Sequence, residues 1–205
     1  MNPVKYQETY RIASARFAGW DYGSNAAYFI TICTQNRAHA FGEVIDGKVS
    51  LTLLGQAAWD CWNAIPEHFP FVVLDEFVAM PNHVHGIVVI DKPPPANVTH
   101  ANNANDANAN VETQNFASLH LGLRSRVTQR RSVNQFGPQS QNLASIVRGF
   151  KIGVTKYARC HQIPFAWQPR YHDHIIRNAA EHEHIRKYII ENPQKWAADC
   201  FYESK

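Results

Sequence analysis

Residues 72–90 read VVLDEFVAMPNHVHGIVVI, and this stretch decides the fold class. Two runs rich in β-branched and aromatic residues, Val72–Ala79 and His85–Ile90, flank the tight connection MPN at residues 80–82. Runs of this length with so short a connection predict two strands paired as an antiparallel hairpin. The fold is therefore expected to contain an antiparallel sheet, with this hairpin inside it.

Strands and helices alternate on both sides of the hairpin. We predict a strand at Ala27–Thr34, a second hairpin at Phe41–Leu53 turning at Asp46-Gly47, helices at Leu54–His68 and from Leu143 to Tyr157, a strand at Phe165–Ile176, and a helix at Ala180–Glu191 ended by Pro193. The core order βαββαβ predicts a ferredoxin-like α+β fold. It consists of an antiparallel sheet with helices on one face and an extra C-terminal helix.

The length of 205 residues fits a single domain, and 45% hydrophobic with 18% charged residues favours a compact core. Residues 91–142 differ from the rest, with three consecutive prolines, an alternating Ala/Asn tract and a Ser/Gln/Arg-rich end. We expect a single domain over residues 1–205 that carries a loose, basic, low-complexity insertion at 91–142.

The sequence contains neither an apolar run long enough for a membrane span nor a secretory signal. Its four cysteines are scattered without a CxxC pair, which favours inert thiols over a zinc site or a disulfide framework. We expect a protein of the reducing cytoplasm, associated with the nucleoid, without membrane contact.

Positive charge is concentrated in one part of the chain. From Thr113 to His172 there is no Asp or Glu, and nine cations occur: Arg124, Arg126, Arg130, Arg131, Arg148, Lys151, Lys156, Arg159 and Arg170. On the helix that begins at Leu143, the basic residues lie opposite the apolar face. This asymmetry favours a nucleic-acid backbone as partner, with Tyr157, Phe165 and Trp167 as stacking candidates, although a solvated helix face has the same pattern.

Three His-x-His pairs occur among eleven histidines. Residues i and i+2 share a face on a strand but not on a helix, so His83 and His85 can bind one metal ion, whereas the pair at residues 182 and 184 is expected to be a solvated helix start. The pair at residues 172 and 174 ranks second as a metal site, because substrate contact or simple exposure explains it as well as ligation does. Tyr188 and Asn192, at positions i and i+4, share a face of the C-terminal helix.

Four blocks of the sequence resemble the HUH single-tyrosine transposases, and within them the REP-associated tyrosine transposase branch. The blocks are AYFITICTQNRAHAF from Ala27, LDEFVAMPNHVHGI from Leu74, ASIVRGFKIGVTKYA from Ala144, and WQPRYHDHIIRNAAEHEHIRKYIIENPQKW from Trp167. Together they cover nearly all the chain outside the insertion, and MPNHVHG and YIIENP are specific in combination.

The resemblance implies metal-dependent cleavage and rejoining of single-stranded DNA by transesterification, through a 5′-phosphotyrosine intermediate. It implies Tyr188 as the nucleophile, and His83, His85 and Asn192 as ligands of Mg²⁺ or Mn²⁺. Hairpin-flanked single strands are the implied substrate, bound by a monomer or a homodimer. The residues that we expect to contact DNA are Arg148, Lys151, Lys156, Arg159, Arg170 and His172.

Two other functions remain compatible with the sequence. One is a catalytically silent module of the same fold that binds single-stranded DNA or RNA. The other is a metal-dependent phosphodiesterase that activates water instead of a tyrosine.

Overall fold

The computed structural model describes residues 17, 19–94 and 140–202, together with the backbone of two short strands near the N-terminus. The strands are β1 (Lys5–Tyr6), β2 (Thr9–Tyr10), β3 (Ala26–Cys33), β4 (Gly42–Ile45), β5 (Lys48–Leu51), β6 (Val72–Met80), β7 (His83–Ile90) and β8 (His172–Ile176). The helices are α1 (Leu53–Asn63), α2 (Ile65–His68), α3 (Leu143–Cys160) and α4 (Ala179–Glu191), with 3₁₀ turns at Gln35–Arg37 and Asn192–Ala198. Most of the predicted insertion, residues 95–139, lies outside the described residues.

The central sheet has four strands in the order β6-β7-β3-β8, and every neighbouring pair is antiparallel. β3 and β6 run parallel with β7 between them, which is the split β-α-β arrangement of a ferredoxin-like fold. The predicted α+β class and the predicted hairpin of β6 and β7 are confirmed. The second predicted hairpin, β4 and β5, turns at Asp46-Gly47 as expected.

The main core lies between the sheet and the helices α1 and α3. Alternate residues of β3, Tyr28 and Ile30 among them, point into this core and are almost fully buried. A Cβ at Gly86 on β7 would lie 2.5 Å from the ring of Trp62 on α1, so the absence of a side chain there lets the helix approach the sheet. The prediction that helices cover one face is confirmed for α1 and α3.

The C-terminal helix α4 packs on the opposite face of the sheet. Ile185 and Ile189 of α4 contact Ile87 and Val89 of β7 in a small separate cluster. The side chain of Asn178 caps the helix by accepting a hydrogen bond from the Glu181 N–H, at 2.8 Å. This apolar cluster thus lies towards one end of the face, and His83 and His85 lie towards the other end.

The structure differs from the sequence prediction in the last strand and the first helix. The strand predicted at Phe165–Ile176 begins only at His172, because Pro169 interrupts the preceding segment and Arg170 has a φ of 70°. The helix predicted at Leu54–His68 is divided at Ala64, ahead of a proline in the first turn of α2. In the part of the chain that the structure describes, no helix is long and apolar enough to cross a bilayer.

Candidate metal and tyrosine site

Two imidazoles of β7 converge on one point of the α4 side of the sheet. His83 and His85 alternate with Val84, which points into the main core on the opposite face. The two side chains are 0% and 2% exposed, and their Nε2 atoms are 3.0 Å apart. The Nε2 atoms of both rings therefore point into the same small volume.

Hydrogen bonds to the other ring nitrogens orient this pair. The Asn82 Nδ2 donates to the Phe201 carbonyl at 2.8 Å, so the Asn82 Oδ1 is left to accept a hydrogen bond from His83 Nδ1, also at 2.8 Å. The Thr31 hydroxyl lies 2.8 Å from His85 Nδ1. A proton on each Nδ1 leaves two Nε2 lone pairs facing each other, an arrangement that a bound cation relieves.

The protonation states suit metal binding. Burial, followed by the positive charge of Arg37, lowers the pKa of His83 to about 3. Burial, followed by the charge of His83, lowers the pKa of His85 well below its usual value. Both rings are therefore neutral at pH 7, the form of imidazole that ligates metals.

Tyr188 lies beside the histidine pair, where the sequence resemblance implies a nucleophile. Its hydroxyl is 3.3 Å from His85 Nε2, and its ring makes an edge contact with Phe29. The residue is 37% exposed, so part of it reaches solvent although its hydroxyl contacts a buried imidazole. Burial, followed by the charge of Asp199, raises the pKa of Tyr188 to about 12, while the Asn192 amide acts in the opposite direction.

Two oxygen-bearing side chains approach the pair from the C-terminal segment. Asp199 offers a carboxylate oxygen that lies within 4.8 Å of ligand atoms of His83 and His85. Asn192, the predicted third ligand, is buried, and its Nδ2 donates to Asp199 Oδ2 at 3.0 Å. Among the described side chains, Asn192 Oδ1 is one of the few buried polar atoms without a hydrogen-bond partner. Two imidazoles with such oxygens form a donor set that fits a divalent cation.

Sequence reasoning missed Asp199. It lies beyond the C-terminal helix, in the segment WAADCFY, which has no motif and no period. It reaches the site because the 3₁₀ turn Asn192–Ala198 reverses the chain after α4. No local signal in the sequence predicts that reversal.

The segment that follows Asp199 covers the histidines. The Phe201 ring lies 4.5 Å from the His83 ring, centroid to centroid, and 6.1 Å from that of His85. The guanidinium of Arg37 donates to the Cys200 carbonyl at 2.8 Å and lies 5.0 Å from the centroid of the Phe201 ring. Because the imidazoles are 0% and 2% exposed, a substrate can contact them only if side chains that cover them, Phe201 among them, move.

The predicted DNA-contact residues lie mostly on the other side of the sheet. An open groove of about 830 Å³ runs between the outer face of α3 and the segment that enters β8. Five predicted residues line it: Arg148, Lys151, Lys156, Arg159 and Arg170. The sixth, His172, pairs with Thr31 across the sheet and shares the face of His85. The groove and the histidine pair therefore lie on opposite faces of the sheet, and β8 forms the edge between them.

Lys151 differs from the other basic residues of the groove. Its ammonium donates to the carbonyls of Gln168 and Arg170, at 3.0 and 3.3 Å, and lies 5.6 Å from the centroid of the Trp167 ring. Burial lowers its pKa. Lys151 therefore holds the segment that leads into β8, whereas Arg148 is exposed on α3.

His182 and His184 were predicted to be a solvated helix start, and this holds for His184 only, which is exposed. His182 lies 2.8 Å from a carboxylate oxygen of Asp75, and Arg186, one turn later, contacts both Asp75 and Glu76 on β6. These acids occupy an irregularity in the pairing of β6 with β7. The contacts attach the helix that carries Tyr188 to the edge of the sheet.

The chain is similar to known proteins in sequence and in structure. No protein-family model matches the chain. A curated protein of Haemophilus influenzae, described as uncharacterized, is 39% identical over 190 residues, which are 92% of each chain. A solved structure of a REP-associated tyrosine transposase bound to a REP hairpin matches with a TM-score of 0.52 and 18% identity, over 90% of this chain and 74% of that chain. The resemblance seen in the sequence is thus confirmed at the level of the fold.

Proposed function

We propose that this chain cleaves and rejoins single-stranded DNA. It belongs to the same family as the Haemophilus influenzae protein and has the fold of a REP-associated tyrosine transposase. The observation that carries the proposal is the position of Tyr188, whose hydroxyl lies 3.3 Å from an imidazole of a convergent, buried pair. A tyrosine on a separate helix, facing two neutral imidazoles and a carboxylate, suits covalent phosphoryl transfer.

In the proposed reaction the Tyr188 oxygen attacks the scissile phosphorus. A bond forms between that oxygen and phosphorus, and the bond from phosphorus to the 3′ oxygen breaks. The tyrosine proton passes to water, and the departing 3′ oxygen gains a proton. The products are a 5′-phosphotyrosine and a free 3′-hydroxyl, and the reverse attack by such a hydroxyl rejoins DNA without another energy source.

A divalent cation, Mg²⁺ or Mn²⁺, fits the donor atoms of this site, and when bound it supplies positive charge that stabilises the phosphate oxygens. His83, His85, Asp199 and Asn192 are the residues that would hold it. Because the pKa of Tyr188 is about 12, the phenol is protonated at neutral pH and attacks only where positive charge favours its ionised form.

The groove along α3 is proposed to bind the DNA backbone. Arg148, Lys156 and Arg159 are exposed along one side of the groove, and Arg170 lies on the other. A strand bound there can pass over the edge at β8, next to His172, and reach the tyrosine side of the sheet. A hairpin-flanked single strand suits this path, because Tyr188 needs an exposed phosphate in line with its leaving oxygen.

Two alternatives remain, and a denaturing gel separates them from the proposal. The protein is incubated with 3′-end-labelled single strands from the DNA that flanks its own gene, with Mn²⁺ or Mg²⁺. A labelled band that migrates with the protein after denaturation supports the transposase chemistry. Cleavage without such a band indicates a phosphodiesterase that uses water, and retention on a native gel without cleavage indicates a silent binding module.

A further inference from the structure

The turn after β3 holds two non-glycine residues in the left-handed region of backbone space. Asn36 has φ 52° and ψ 26°, and Arg37 has φ 52°. This conformation is costly for residues that carry a Cβ, and it persists only where the surroundings determine it. Residues held in this way concentrate at functional sites.

Hydrogen bonds to three parts of the chain hold this turn. The Thr34 N–H donates to the Asn82 carbonyl at 2.9 Å, and its hydroxyl donates to the Ala38 carbonyl at 2.8 Å. The Gln35 N–H donates to the Ala166 carbonyl at 2.8 Å. Asn82 is also the residue that orients His83, so the turn and the histidine pair share one support.

The turn directs the Arg37 guanidinium to the layer that covers His83. Its Nη1 donates to the Cys200 carbonyl at 2.8 Å, and its Cζ lies 5.0 Å from the centroid of the Phe201 ring. That ring in turn lies 4.5 Å from the ring of His83. The positive charge of Arg37 also contributes to the lowered pKa of His83.

We propose that Arg37 is a phosphate-binding catalytic residue: when residues 200–202 move away, its guanidinium donates to a non-bridging oxygen of the scissile phosphate at His83. This inference rests on the proposed function. A guanidinium has five donors in a planar fork that matches phosphate, and the hydrogen bond from Nη1 to the Cys200 carbonyl can be exchanged for one to a phosphate oxygen. The positive charge of Arg37 stabilises the negative charge that develops during attack by Tyr188.

The test compares Arg37→Met, which keeps an unbranched stem and removes the charge, with Arg177→Met, the same change at an exposed position before α4. The readouts are the single-turnover rate of adduct formation at saturating single-stranded DNA and Mn²⁺, the Kd for DNA, and the Tm. We expect Arg37→Met to be slower by about 100-fold or more, the effect of removing one transition-state donor. We expect the Kd of Arg37→Met to stay close to the wild-type value and its Tm to fall slightly, because the Cys200 carbonyl loses its donor. All three readouts of the control variant should stay close to the wild-type values.

A second comparison, made in a variant that lacks the Phe201 ring, distinguishes phosphate binding by Arg37 from a role in holding residues 200–202. Phe201→Ala removes the ring that Arg37 contacts, and Arg37→Met is then introduced into that variant. If Arg37 binds phosphate, the double variant is again about 100-fold slower than Phe201→Ala alone. The inference is overturned if Arg37→Met reacts within about threefold of wild type, or if its defect disappears in the Phe201→Ala background. A wild-type protein that forms no adduct refutes the proposed function itself, which distinguishes the two failures.

Discussion

The buried histidine pair makes the stability of the metal-free protein depend on pH. The unfolded chain binds a proton at each histidine below pH about 6.5, whereas folded His83 binds one only near pH 3. The stability that comes from an imidazole with a lowered pKa is present above pH 6.5 and is lost as the pH falls towards 3. When the pH is lowered from 8 to 4.5, proton binding at His83 of the unfolded chain lowers the free energy of unfolding by about 3 kcal/mol. His85 adds to this loss.

The assay is urea unfolding in the presence of a chelator, followed by tryptophan fluorescence from pH 8 to pH 4.5. His83→Gln replaces the titrating ring by a neutral amide, so we expect its pH-dependent loss to be smaller than that of wild type by about 3 kcal/mol. His184→Gln, an exposed position on α4, is the matched control and should follow wild type. An equal loss in wild type and His83→Gln would refute the buried, neutral state of His83.

Three further predictions concern the ligands, the groove and the insertion. Asp199→Asn and Asn192→Ala should each weaken Mn²⁺ binding by about 10-fold or more in calorimetry, and unchanged affinity in either variant excludes that residue as a ligand. Arg148→Ala should flatten the slope of log affinity for DNA against log salt concentration by about 0.7 and leave the Tm unchanged. Lys151→Ala should flatten the slope and also lower the Tm, because two carbonyls lose their donor. An unchanged slope for Arg148→Ala would show that DNA binds at another surface. Deleting residues 96–115 should leave the Tm nearly unchanged, and failure to fold would show that this segment packs into the core.

Periodic elements were predictable from the sequence. The alternating pattern of β7 and the amphipathic pattern of α3 are local, and each requires one particular face to be buried. The same alternation placed His83 and His85 on one face and Val84 on the other. Local chemistry was therefore sufficient for the sheet, its main helices and the imidazole pair.

Features that depend on the path of the chain between elements were not predictable. The sequence does not state on which face of the sheet α3 and α4 pack, so it did not reveal that the basic groove and Tyr188 lie on opposite sides. Asp199 reaches the histidines through a chain reversal that has no periodic signal. Arg37 is part of a quoted motif, yet its position at the site depends on a strained turn and on contacts with the distant residues 200–201.

The most direct test of the proposed chemistry is the identity of the residue that becomes linked to DNA. Wild-type protein and Tyr188→Phe are incubated with a single strand that carries a label on the 3′ side of the scissile phosphate, digested with a protease, and analysed by mass spectrometry. We expect a phosphotyrosine-linked oligonucleotide on the peptide that contains Tyr188 and none in Tyr188→Phe. The affinity of that variant for the strand should stay within about threefold of wild type. A covalent product in Tyr188→Phe, or cleavage by wild type without any covalent product, would contradict the proposed chemistry.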